Sequence, residues 1–131
     1  EGQSGLAAIL LKNAANLGID LNSTDNVNGR TAFMNACQGG HADVAKVLME
    51  NSTTSNIDLN AKDMHGSTAF ILACLFGNTS IVELMLDKAD ALQLDLTAKT
   101  DAGTTGFQYA QSRGKTAVVN LIKAKRPSIA V

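Results

Sequence analysis

The chain has 131 residues, of which 45% are hydrophobic and 18% charged, with two cysteines and a formal net charge of −1. That length suits one domain with a real hydrophobic core. The near-neutral balance gives no reason to expect nucleic acid or anionic membrane as a partner, and no apolar run approaches the ~20 residues that span a bilayer.

In chain order, the first segment is Gly5–Asn22, GLAAILLKNAANLGIDLN, with Leu6, Ile9, Leu10 and Leu17 on one helical stripe. It aligns without gaps on Ser80–Thr97, SIVELMLDKADALQLDLT, and so is expected to be the second half of a repeat whose first helix is missing. GRTAF at Gly29–Phe33, GSTAF at Gly66–Phe70 and GTTGF at Gly103–Phe107 then recur at a spacing of 37. IDLN at Ile19–Asn22 and Ile57–Asn60, and LDLT at Leu94–Thr97, run alongside. The first interval of that second series is 38, because Asp25–Gly29 carries one residue more than Asp63–Gly66. The periodicity divides the chain into a partial repeat, 1–22, and three full repeats, 23–60, 61–97 and 98–131, all within one domain. The last is expected to be a C-terminal capping unit.

Each repeat has the pattern turn, short helix, turn, longer helix. Thr31 and Thr68 are placed to cap the first helix through their hydroxyls. Gly40, Gly77 and Gly114 separate the two helices, where a left-handed residue costs least. Val44, Val47 and Leu48, and one unit later Ile81, Leu84 and Met85, give the second helix its apolar face. Ser80 followed by Glu83 has the form of a capping box. Leu84, Lys88 and Leu92 continue the helical stripe, which predicts a lengthened second helix in that unit. NSTTSN at Asn51–Asn56 is a poor helix former and predicts a loop of the same length. The last helix, Thr116–Arg126, ends at Pro127 and carries its cations late, as its dipole favours. Hairpins this short cannot hide their apolar faces alone, but stacked copies can, so the expected fold class is an all-α solenoid.

These motifs resemble the ankyrin repeat, a unit of roughly 33 residues with a T-P-L-H-x-A signature. The matching stretches are TAFMNAC (Thr31–Cys37), TAFILAC (Thr68–Cys74) and TGFQYAQ (Thr105–Gln111), with Gly40-His41 between helices and IDLNA at Ile57–Ala61. The resemblance implies stacked helix-turn-helix units joined by β-turn-like connectors. The signature Pro is replaced by Ala32, Ala69 and Gly106, and the His by Met34, Ile71 and Gln108. Cohesion between units is therefore expected to rest on packing, with Phe33, Phe70 and Phe107 as plugs.

Nothing in the sequence assembles a catalytic site. His41 and His65 sit in no catalytic motif, and Gly114-Lys115-Thr116 lacks the rest of a phosphate-binding loop. Gly39 and Gly40 interrupt any shared helix between Cys37 and His41, so no metal or other cofactor is expected. Asp20, Asp58 and Asp95 recur within the repeat signature, which points to connector hydrogen bonds. Cys37 and Cys74 occupy equivalent places one unit apart. Stacked helices lie about 8–10 Å apart, beyond the ~7 Å reach of a disulfide. Both are expected to be small core residues, and reduced thiols suit a cytoplasmic or nuclear setting.

The resemblance implies a non-catalytic protein-binding module that docks a partner protein on its concave face, built from connector tips and first helices. The positions it nominates include Arg30, Asn35, Met64, His65, Leu72, Leu75, Phe76, Tyr109 and Arg113. At these places unit 23–60 is polar and rich in amides, including Asn26, Val27, Asn28 and Gln38, whereas unit 61–97 offers Met64, Leu72, Leu75 and Phe76. Leu75 and Phe76 either meet a partner or are covered by the lengthened second helix; the first is preferred. The alternative function is a spacer or self-associating section of a longer array, joined through the front face of Leu6, Ile9 and Leu10. A monomer is otherwise expected, with no small-molecule substrate. From Tyr109 onward there are five cations, Arg113, Lys115, Lys123, Lys125 and Arg126, and no acid. Without interleaved aromatics this basic stretch is expected to be a solvated terminal helix rather than a nucleic-acid or lipid site.

Overall fold

A computed structural model describes residues 20–131. The expectations for Leu6, Ile9, Leu10 and Leu17, and for nearly all of the partial repeat 1–22, lie outside the described residues. Among those residues, six α-helices pair into three hairpins. These are α1 (Ala32–Gly39) with α2 (Ala42–Glu50), α3 (Ala69–Leu75) with α4 (Thr79–Leu92), and α5 (Gly106–Ser112) with α6 (Thr116–Lys125). A 3-10 turn, Pro127–Ile129, follows, and the β structure is one isolated bridge between Lys99 and Thr105. The first helices α1, α3 and α5 stack as one layer and the second helices α2, α4 and α6 as another, a two-layered solenoid.

Each hairpin starts from the same chemistry. The hydroxyls of Thr31, Thr68 and Thr105 accept from the backbone N–H of Met34, Ile71 and Gln108 at 3.2, 3.3 and 3.2 Å. This satisfies donors that a helix start leaves without partners. In the last hairpin the Gln108 side chain also accepts from the Thr105 N–H at 3.1 Å and closes a capping box. Gly40, at φ 76°, turns the chain so that the His41 N–H returns to the Ala36 carbonyl at 2.9 Å.

The second helices differ in length as their sequences predict: α2 has nine residues and α4 fourteen. After α2, the Asn51 amide donates to the Val47 carbonyl at 2.8 Å and the Ser52 hydroxyl to Met49 at 2.9 Å. These short polar side chains take the carbonyls at the helix end, and residues 51–56 run on as turns. The capping box expected at Ser80 and Glu83 does not form. The helix begins at Thr79 behind Asn78, and no side chain caps it. The Asn78 amide instead faces the preceding unit, donating to the carbonyls of Cys37 and Gln38 at the end of α1.

The core runs between the layers. Phe33, Phe70 and Phe107 are 1%, 3% and 2% exposed, and Met34 and Ile71, standing where the resemblance has His, are equally buried. Cys37 and Cys74 are free and buried, and burial pushes both thiols well up, which leaves them inert.

Cohesion between units is less purely apolar than the missing His suggests. Asp20, Asp58 and Asp95 each accept from the backbone N–H two residues on, at 2.9, 3.0 and 3.1 Å. The asparagine after each of the first two Asp residues then reaches the next unit. Asn22 donates to the Asn56 carbonyl at 2.9 Å and accepts from the Asp58 N–H at 2.7 Å. Asn60 repeats this with the Gln93 carbonyl and the Asp95 N–H, both at 2.9 Å. At the other end of the molecule, Arg126 donates twice to the Leu86 carbonyl of α4 and pairs with Asp90 at 3.1 Å, while Lys125 pairs with Asp87 at 2.6 Å.

Candidate docking surface

The connector tips form the rim of the first-helix layer, and each is built around one polar residue. The Asp25 carboxylate accepts from the N–H groups of Val27, Asn28 and Gly29 at 3.1, 2.8 and 3.1 Å. These bonds, that from Asn28 foremost, hold its carboxyl below the usual range, and the Asn35 side chain adds to the effect. In the next tip Asp63 accepts from the N–H groups of His65 and Ser67, both at 2.9 Å. In the third the role passes to Thr100, whose hydroxyl accepts from the Thr104 N–H and lies 3.3 Å from the Tyr109 hydroxyl. Successive tips are joined to each other: the Met64 N–H donates to the Asn28 carbonyl and the Asp101 N–H to the His65 carbonyl, both at 3.0 Å. A continuous rim results, and the side chains between these bonds are turned outward.

Three large apolar side chains stand on this layer in water: Val27 at 76% exposed, Met64 at 62% and Phe76 at 46%. Val27 and Met64 occupy successive tips, and Phe76 is the residue that ends α3. Leu75 is half-buried beside it. His65, Asn35 and Arg113 are exposed, and Tyr109 is half-buried. A shallow pocket of about 320 Å³, lined by His65, Ser67, Thr100, Asp101, Ala102 and Tyr109, opens between the last two tips.

Two of the nominated residues do not belong to an accessible surface. Leu72 is 1% exposed, because α3 is packed between α1 and α5 and buries every residue from Ala69 to Cys74. Only the end of that helix emerges. Arg30 is held inside the structure: its Nε donates to Asp63 at 3.1 Å, a second nitrogen donates to the Gln38 side chain, and 14% of its side chain is exposed. It locks one tip to the next, against a carboxylate whose side chain is wholly covered. Val27 is the converse case. Its unit is polar in sequence at these positions, yet Val27 extends the apolar rim by one tip. The extra residue in Asp25–Gly29 lengthens that tip.

Among the described residues, no group of three or more His, Cys, Asp or Glu side chains is placed to hold a metal ion. His41 and His65 sit at separate turns, one at the start of α2 and one on a tip.

Compared with known proteins, residues 2–97 match the family model for ankyrin repeats, in three copies. No curated protein matches the chain. Residues 98–131, beyond the matched span, continue the same hairpin with α5 and α6.

Proposed function

The chain belongs to the ankyrin repeat family, whose members are generally non-catalytic protein–protein interaction modules, and from that premise we propose that it binds a partner protein on the rim and first-helix layer. The observation that carries this is the exposure of Val27, Met64 and Phe76 on one layer, while the remaining large apolar side chains among the described residues are mostly covered. Burying a side chain of that size is worth ~1.5–3 kcal/mol, a gain these three forgo until something covers them. Met64, with His65 and Tyr109 on the tip side, and Phe76, with Arg113 at the equivalent helix end, combine apolar area with the Tyr and Arg chemistry of interface hot spots. The rigid rim supports the same reading, since a preorganised surface orders little on binding.

The test is a pair of substitutions on one helix. Phe76→Ser should abolish partner capture and change unfolding free energy by less than about 1 kcal/mol. Leu72→Ala, four residues earlier, should cost about 2–5 kcal/mol because it opens a cavity. A Phe76→Ser variant as unstable as Leu72→Ala would mark Phe76 as core, and the proposal would fail.

A further inference from the structure

The cations around Phe76 say what kind of partner segment fits there. Of the five cations from Tyr109 onward, Lys125 and Arg126 are engaged by Asp87, Glu83 and Asp90 of α4. Arg113 and Lys115 form no ion pair with any described residue. Arg113 ends α5 as Phe76 ends α3, one unit along in adjacent stacked helices. The aliphatic stem of Lys115 runs past Gly77, the residue after Phe76: a methyl group built there would come 2.9 Å from its Cδ. An exposed aromatic ring thus shares one end of the stacked first helices with two cations that form no ion pair with any described residue.

Taking the docking surface above as its premise, we infer that the partner presents an acidic, apolar peptide segment, with an apolar side chain covering Phe76 and a carboxylate bound between Arg113 and Lys115. The Arg113 guanidinium suits a carboxylate because its planar fork donates two parallel hydrogen bonds. Covering that pair with a bound segment strengthens its mutual attraction at a cost in desolvation, which the two hydrogen bonds of the guanidinium offset. Cations at a helix end also match the helix dipole. α5, however, has seven residues, and its field accounts for neither the placement of both cations at the end that carries Phe76 nor their lack of an ion-pair partner among the described residues. A nucleic acid is the poorer fit. Phosphate backbones are bound by several cations at once, and here Asp25 and Asp101 are exposed on the connector tips of the same layer.

The experiment selects a displayed library of random peptides about twelve residues long on the immobilised full chain, then measures the enriched peptides against variants. The expected peptides pair Phe, Leu or Met with Asp or Glu. Their affinity should fall at least about tenfold with Arg113→Glu and again with Phe76→Ser, at unchanged melting temperature. Repeating the selection on Arg113→Glu should enrich Lys or Arg in their place. Neutral or basic peptides from the native chain, or affinity indifferent to Arg113→Glu, would overturn the acidic assignment; the docking surface would survive if Phe76→Ser still abolished binding. No enriched peptide, or binding untouched by Phe76→Ser, would remove both. Equal affinity for a single-stranded oligonucleotide of the same length would overturn the protein partner.

Discussion

Asp63 is the charged residue among the buried polar side chains of the described chain, and its surroundings explain why it is tolerated. One carboxylate oxygen takes two backbone N–H groups and the other takes Arg30. Replacing it with Ala strands a mostly covered guanidinium and two tip donors, so Asp63→Ala should cost about 3 kcal/mol in urea unfolding. A loss below about 1 kcal/mol would mean that the pair is ornamental. Asp25 holds the equivalent place in water, with its carboxyl lowered by the bond from Asn28 above all. A lowered value means that the folded chain favours the ionised form. Its contribution is complete above the ordinary carboxylate pKa of about 4 and disappears as pH falls through the lower folded value. Asp25→Asn should therefore flatten the acid side of the stability profile, below about pH 4; an unchanged slope there would deny the effect. At this scale the sequence was partly legible. The recurring Asp residues announced connector hydrogen bonds through their spacing. Arg30 did not announce its role, because its partner lies 33 residues away and local pattern carries no sign of it.

Gly106 shows how tightly the first helices meet. A methyl group there would lie 3.2 Å from the Cys74 sulfur and 3.3 Å from both the Ile71 Cα and the Phe70 ring. Its counterparts one and two units back are Ala69 and Ala32, and in the third copy the space a methyl group would take is already filled by α3. Gly106→Ala should thus destabilise by about 1–3 kcal/mol despite improving helix propensity. A stabilised variant would show that the backbone yields easily. Helix existence, helix order and the long α4 were legible in the sequence because apolar period and propensity agree there. The false capping box at Ser80 arose because the motif is local, whereas Asn78 answers to carbonyls about forty residues earlier. Leu72 was misplaced for a related reason: the family's docking positions assume a helix with one free face, and α3 is enclosed by both neighbours until its last residue.

The molecule as a whole is held by a repeated stitch between units. Asn60 both donates to and accepts from the next unit's turn, and a stacked array is stabilised by such nearest-neighbour terms. Asn60→Ala should cost about 1–2 kcal/mol, near the net worth of two hydrogen bonds. It should also broaden the unfolding transition by uncoupling units 23–60 and 61–97; an equally sharp transition at unchanged midpoint would count against the stitch. The unit register was legible from the recurrence of IDLN. The stitch was not, since a conspicuous asparagine in a turn usually serves its own backbone.

The two seams are sewn with different thread. Asn60 and the covered Arg30–Asp63 pair close the earlier one, whereas Thr97, in the place of Asn60, turns its hydroxyl back to Asp95. The later seam adds solvent-facing pairs of Lys125 and Arg126 with the acids of α4. Mobile ions weaken exposed charge pairs and leave amide bonds and covered pairs nearly untouched. Raising ionic strength should therefore accelerate amide hydrogen exchange in α5 and α6 before α1 and α2, so that salinity alone selects which seam loosens first.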